Sequence, residues 1–293
     1  STDNTSEVVD IWQEKFPNLI YVSQEFRGGI DQDIEKVVSL ARGRYCWLIS
    51  ADDIMLPESL AHLLISIKNN YDIYLCEHVL CDLEMNKICE YPPFYQAEQP
   101  RTFNLGDTND KRDYFQMART SEAFFSFMSS PIFKKSIWDK SVFPESFRGT
   151  CWIVAGHLLA SIPEGVTIHY LARPLLHKRG ENDSFSENGV VNRLGIAIKN
   201  FQHVGNLIFG KDSTEAKHIR RVLHQDVPLS ALMAARYKAF KQPLKEDISV
   251  LDHLAELHYQ DKNFNNYVSH LLYKYTPMSF VILLQKLRKR IGR

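Results

Sequence analysis

Tyr45-Cys46-Trp47-Leu48-Ile49-Ser50-Ala51-Asp52-Asp53 runs from a short apolar stretch straight into paired carboxylates. The stretch is aromatic-rich and too brief for a periodic helix, so it predicts a buried parallel strand. Pro57 and Glu58 follow closely, which places both acids at the strand's carboxyl end. Open α/β sheets bind ligands at that edge. Hard carboxylate oxygens there suit Mg²⁺ or Mn²⁺ carrying a diphosphate, because such metals bind through one or two carboxylates plus substrate phosphates. The plainer alternative is that Asp52 and Asp53 cap the helix beginning near Pro57.

Working outward, Val8, Val9, Ile11 and Trp12 supply the apolar face of an amphipathic helix, and Leu19-Ile20-Tyr21-Val22 reads as a strand. Phe26-Arg27-Gly28-Gly29-Ile30-Asp31-Gln32-Asp33 is a glycine turn that opens a second helix through Val37, Val38 and Leu40. Asp31 and Asp33 read as first-turn acids of that helix rather than as ligand contacts. Downstream, helices are expected over 60–67, 111–118 and 149–161. Strands are expected over 73–79 and 168–171, with a further strand at Pro174-Leu175-Leu176 and a buried turn and strand within 124–133. The stretch 91–110, rich in Pro, Gln and Asn, is too long for a simple connection and is a candidate lid. From 190 onward helical spacing dominates. This gives an α/β domain over 1–190 and a helical extension over 191–293.

Composition fits an ordinary globular protein. The chain has 293 residues, 44% hydrophobic and 24% charged, enough to bury a sizeable core. Thirty-five basic residues balance 35 acidic ones, but unevenly. No acidic residue follows Asp261, whereas Lys262, Lys274, Lys286, Arg288, Lys289, Arg290 and Arg293 do. Phe280, Leu283, Leu284, Leu287 and Ile291 recur among these cations at helical spacing. That pattern makes either a basic amphipathic helix drawn to anionic lipid or a helix packed on the body with solvated cations. Its longest apolar run, 280–284, is far too short to span a bilayer. The cations lack interleaved stacking aromatics, which argues against a nucleic-acid surface. Five cysteines without zinc-site spacing read as reduced thiols.

Taken together, these pieces resemble the GT-A glycosyltransferases of family 2. The likeness rests on Ser1 to Thr5, then Gly28-Gly29 before a helix, Ala41-Arg42-Gly43-Arg44-Tyr45, and Ser50-Ala51-Asp52-Asp53, in order and at matching spacing. Within that family the chain is most similar to bacterial abequosyltransferase-like O-antigen sugar transferases. That likeness is carried by Asp72-Ile73-Tyr74-Leu75-Cys76, Phe127-Met128-Ser129-Ser130, Phe147-Arg148-Gly149-Thr150 and Arg179-Gly180-Glu181-Asn182-Asp183-Ser184-Phe185. It covers roughly the first two-thirds of the chain. Two positions depart from the family pattern. Ser50 stands where the acidic motif usually begins, and Val154 stands where a His is expected, with His157 one helical turn later on nearly the same face.

The resemblance implies an α/β fold of the GT-A (Rossmann-like) type, with a mostly parallel sheet flanked by helices and a helical C-terminal extension. It also implies transfer of a sugar, by closest likeness a dideoxyhexose such as abequose, from a nucleotide-sugar donor to a lipid-linked oligosaccharide. The expected place of work is the inner face of a bacterial cytoplasmic membrane, in O-antigen assembly. Asp52 and Asp53 are then the expected Mg²⁺ or Mn²⁺ ligands, with Gly29 and Arg179 on the donor side. Arg179 suits diphosphate oxygens bidentately. His157 and Asp183, the latter beside Glu181, are the candidates for taking the acceptor's proton. Family members begin with two further strands, so the sequence reads as an N-terminally truncated form of a longer enzyme. Two rival readings are an inactive scaffold subunit of a polysaccharide assembly complex and a sugar-nucleotidyltransferase. The second should show a Gly-rich phosphate loop.

Overall fold

The computed structural model describes residues 3–26, 28–141, 145–182, 185, 188–243 and 246–283. Strand β1 (Tyr45–Trp47) is followed by a turn carrying the acid pair, by the short β2 (Ile54–Met55) and by helix α3 (Ser59–Ser66). That helix leads through a single 3-10 turn to β3 (Ile73–Cys81), which is buried almost throughout. Strand β4 (Lys87–Tyr91) folds back on β3, and β5 (Arg101–Asn104) follows it in the chain. After α4 (Thr108–Met117) and a buried 3-10 turn comes β6 (Pro131–Lys134), then α5 (Lys135–Lys140) and α6 (Ile153–Ala160). The 13-residue β7 (Thr167–Arg179) completes the sheet, whose order is β1-β6-β3-β7-β2.

The sheet is mixed rather than mostly parallel. Among described strands, β3 and β7 pair in parallel while β6 is antiparallel to both β1 and β3. The reason lies in the connections. A helix carries the chain from β1 to β3 in the same direction, whereas β6 follows a tight buried turn and enters the gap between them reversed. The strands that share a direction, β1, β3 and β7, still end at one edge, and Asp52, Asp53 and Arg179 lie there.

Before the sheet come α1 (Thr5–Lys15) and α2 (Ile30–Leu40). Helix α1 buries none of its residues. The stretch 19–22, expected as a strand, has no strand assignment, and its four apolar side chains are exposed. A strand exists through the ladder it joins, and none of the described strands pairs with this stretch. The segment expected as a lid is likewise different, because β5 pairs with Thr167–Tyr170 at the far end of β7 from the acids. About 25 Å of strand separates the two ends at the usual rise per residue.

The core has more than one centre. The largest cluster packs sheet residues such as Ile73, Phe133 and Ile168 against α6 and the aromatic group Phe94, Tyr114 and Phe124. It also takes in Phe201 and Val204 of α8 (Phe201–Phe209) and Ile219 and Val222 of α9 (Thr214–Asp226). A second cluster unites α7 (Val190–Gly195) with α10 (Leu229–Lys241), α11 (Ile248–His258) and α12 (Phe264–Tyr275). The C-terminal helical region therefore divides: two of its helices belong to the sheet's core, and the others form a bundle of their own. Residues 284–293, most of the expected basic helix, lie outside the described residues. No described helix is long and apolar enough to cross a membrane.

Candidate active site

The acid turn is held by hydrogen bonds that run across the sheet. Asp53 N donates to Ser50 O at 3.2 Å, closing the turn after β1. Ser129, fully buried just before β6, ties that turn to its neighbour. Its hydroxyl accepts from Ser50 N at 3.2 Å and donates to Asp53 Oδ2 at 3.1 Å, while its carbonyl accepts from Trp47 Nε1 at 2.9 Å. The end of β7 supplies the other side. Arg179 N donates to Asp53 Oδ1 at 3.3 Å, and Arg179 Nε reaches Asp52 O at 3.4 Å. Gly180 N donates to Cys81 O at 3.0 Å, and a Cβ on Gly180 would stand 2.7 Å from that same carbonyl, so the close approach of β7's end to β3 requires glycine.

The two acids are treated differently. Burial opposes ionisation of Asp52, but hydrogen bonds from the Ser50 hydroxyl and the Asn182 amide, with the Arg179 charge, hold its carboxyl below the usual range. Asp53 goes the other way: burial and the neighbouring Asp52 charge push it up despite Ser129. Environment alone thus separates two adjacent carboxylates. Ser50 stands where an acid was expected, and it contributes as a donor to Asp52.

Both acids line a cleft of about 410 Å³ at the carboxyl edge of the sheet. Lys178, Arg179, Glu181 and Asn182 line it from the β7 side, with Trp152 just before α6, Val154 and Ala155 on α6, and Ile30 and Ile34 on α2 completing the walls. Gly29 sits immediately before α2 with φ +89°, a conformation glycine adopts freely, and next to the cleft residue Ile30. The structure therefore brings together Asp52, Asp53 and Arg179, with Gly29 alongside. Asp183 lies outside the described residues. Among the described residues no group of three or more His, Cys, Asp or Glu could hold a metal ion by itself. Two adjoining carboxylates, one kept ionised, do fit a cation whose remaining ligands come from substrate phosphates.

His157 is placed elsewhere. Helix α6 turns Val154 and Ala155 to the cleft, whereas His157 is 5% exposed and stacks on Trp138 with ring centroids 3.8 Å apart. The Ser141 hydroxyl engages its Nδ1. Burial pulls its pKa down to about 4, which leaves the ring neutral. It is not among the cleft residues.

Two contributors escaped the sequence reading. Ser129 stood within a segment that carries the family likeness, but nothing in the sequence marked it as the partner of the acid turn. Asp31 looked like a first-turn acid of α2, but its carboxylate is 4% exposed and accepts from the backbone of another element. The donors are Gly149 N at 2.8 Å, Cys151 N at 3.0 Å and Ile153 N at 3.3 Å. It thereby fixes the entry to α6, the helix that walls the cleft.

Residues 1–131 match the family model described as Glycosyl transferase family 2. The chain is 29% identical over 231 residues to the abequosyltransferase RfbV of Salmonella typhimurium, covering 78% of this chain and 69% of that protein. A shorter match, 35% over 69 residues, joins it to an uncharacterized glycosyltransferase of Methanocaldococcus jannaschii, covering 24% of each chain. The fold is similar to that of TarS (residues 1–349) from S. aureus. The crystal structure of that protein with UDP-GlcNAc gives a TM-score of 0.55 at 16% identity, covering 94% of this chain and 80% of that one. Another TarS crystal structure, with the same coverage, gives 0.53 at 15% identity. This likeness shows a GT-A-like fold, and the family match together with the curated relative supports a glycosyltransferase.

Proposed function

We propose that the chain transfers a sugar from a nucleotide-sugar donor to a hydroxyl of a lipid-linked saccharide during assembly of a bacterial surface polysaccharide, O-antigen in the first instance. One observation carries the reading: a carboxylate kept ionised, Asp52, shares a cleft at the sheet's carboxyl edge with Lys178 and Arg179. A nucleotide diphosphate needs that combination. The carboxylates hold Mg²⁺ or Mn²⁺, the guanidinium takes phosphate oxygens, and the acids are too few to hold a cation without the phosphates. When bound, the metal supplies Lewis-acid stabilisation of the departing diphosphate. In the transfer, the bond from the sugar's anomeric carbon to the diphosphate breaks and a bond from the acceptor oxygen forms. The hydroxyl proton leaves to a base, and Asp183, one position beyond Asn182, is assigned that role on its place in the sequence.

The similarity to an abequosyltransferase supports a dideoxyhexose as the sugar. The experiment that tests the whole reading is a donor panel. Thermal stability is measured with CDP-, UDP-, GDP- and dTDP-linked sugars, with and without Mn²⁺, since a ligand that binds the native state raises its apparent stability. Metal-dependent stabilisation by one nucleotide class is expected. No shift with any donor would favour an inactive scaffold subunit instead. The same reading places the protein on the inner face of the cytoplasmic membrane through the cationic 278–293 segment. Deleting that segment should release the protein from anionic vesicles, and unchanged binding at physiological salt would refute the attachment.

A further inference from the structure

Behind the cleft lies a second chamber of about 400 Å³, and the two share Ser126, Trp152, Lys178 and Arg193 as a common wall. One side of this chamber is polar. Glu122, 5% exposed, has Oε1 3.4 Å from Lys178 Nζ and Oε2 3.1 Å from His78 Nδ1. Asp226 accepts from Ser121 N at 2.9 Å and from the Tyr91 hydroxyl at 3.4 Å. The rest of the lining includes apolar and aromatic side chains, Trp152, Phe201, Leu194 and Leu223 among them. A sugar ring has this same division, with hydroxyls around its rim and C–H groups on its faces. A site that recognises one combines a few convergent polar groups with an apolar wall.

The charges decide which sugar. Two cations, Lys178 and Arg193, are common to both chambers, and the second adds the carboxylates of Glu122 and Asp226, of which Glu122 engages Lys178. These carboxylates offset the shared cations in number, which leaves no positive excess for a diphosphate while their oxygens accept hydroxyl hydrogens. The first chamber, with Arg179 beside an acid pair able to hold a metal, suits the charged donor, and the second suits a neutral polyol. A purely structural ion pair would need no cavity beside it. His78, 1% exposed, lines the same chamber with Nδ1 against Glu122 Oε2.

We propose that this second chamber, walled by Glu122, His78, Tyr91, Asp226 and Trp152, is the site of the acceptor sugar, a neutral hexopyranose whose hydroxyls bind the Glu122 and Asp226 carboxylates. The assignment deepens the glycosyltransferase reading and rests on it. The shared wall sets the acceptor hydroxyl next to the anomeric carbon of a donor held at Asp52 and Arg179.

The test is saturation-transfer NMR with a panel of methyl α- and β-hexopyranosides. It is run on the full chain, both free and loaded with Mn²⁺ and a nucleoside diphosphate. At least one glycoside is expected to bind wild-type protein, with affinity falling tenfold or more in Glu122→Gln and Asp226→Asn, and with nucleoside diphosphate binding unchanged in Asp226→Asn. Removing Glu122 strips a buried ion pair and risks the fold, so Ala231→Phe, which fills the chamber from α10 and leaves those pairs intact, is a second probe with the same expected loss. If no glycoside binds wild-type protein, or if binding survives both Glu122→Gln and Ala231→Phe, the assignment is overturned. Failure of the donor reading shows separately, as wild-type protein that binds no nucleoside diphosphate, and the glycoside arm on nucleotide-free protein still decides this one.

Discussion

The turn before α2 and the turn after β1 look alike in sequence, each with two acids close together near the start of a helix, yet the fold uses them in opposite ways. At the first, Asp31 points inward and gives its oxygens to three backbone amides of another element. At the second, Asp52 and Asp53 receive side-chain donors, Ser50, Asn182 and Ser129, and stay on a cleft wall. The difference lies in who satisfies the carboxylate. An acid surrounded by backbone N–H groups is committed to holding the chain, while one held by short side chains keeps lone pairs for a ligand.

Substitutions at the two turns should therefore fail in different assays. The largest effect is expected for Asp52→Asn, which should lower transfer by about 100-fold or more, the scale seen when a group stabilising transition-state charge is lost, while the thermal midpoint stays within a few degrees of wild type. Wild-type turnover in this variant without added metal would sink the metal role and erase the contrast. Next comes Asp31→Leu, which leaves three amides without their charged acceptor. Charge-assisted hydrogen bonds are worth roughly 1.5–3 kcal/mol, so a stability loss of about 3 kcal/mol should appear in urea unfolding. An unchanged unfolding midpoint would mean that α6 does not depend on this cap.

How much of this the sequence disclosed differs between the two turns. The acids after β1 were legible because a short apolar strand ending in carboxylates restricts their position to one edge of the sheet, whatever the neighbours do. Asp31 was not, because its partners at 149, 151 and 153 lie more than a hundred positions away, and no local pattern marks an acid that caps someone else's helix. His157 shows the same limit from the other side. One helical turn decides between the cleft and the stack on Trp138, and helical spacing alone does not say which face looks where. The strand directions were misjudged for a related reason: β6 enters between β1 and β3 through a turn, and a buried apolar run carries no arrow.

The smallest effect expected is a pH dependence of stability that belongs to neither turn. His157 and His258 are both buried and neutral, with pKa values pulled down to about 4 and about 3, burial being the main cause. The unfolded chain takes protons on these rings near the ordinary value of about 6.5, so the stability their neutral forms contribute is complete above that pH. It is lost as pH falls from 6.5 towards 4. Thermal midpoints measured across this window should decline, and His157→Phe, which preserves an aromatic face against Trp138, should flatten part of the decline. An identical slope in wild type and variant would remove His157 from the account, leaving the carboxylates of the two turns as the place to look.

The end of β7 and the start of α7 are both fastened. Gly180 is drawn against Cys81, and Glu246 accepts from Val190 N at 2.8 Å and Val191 N at 3.1 Å. The residues between these two anchors, Glu181 and Asn182 among them, thus form an interval whose ends are set by backbone hydrogen bonds independent of its own side chains. In protein-engineering terms it is a cassette. Its content can be exchanged with that of another transferase of the same fold to retune what the cleft accepts, while the splice points stay defined by Gly180 and Glu246.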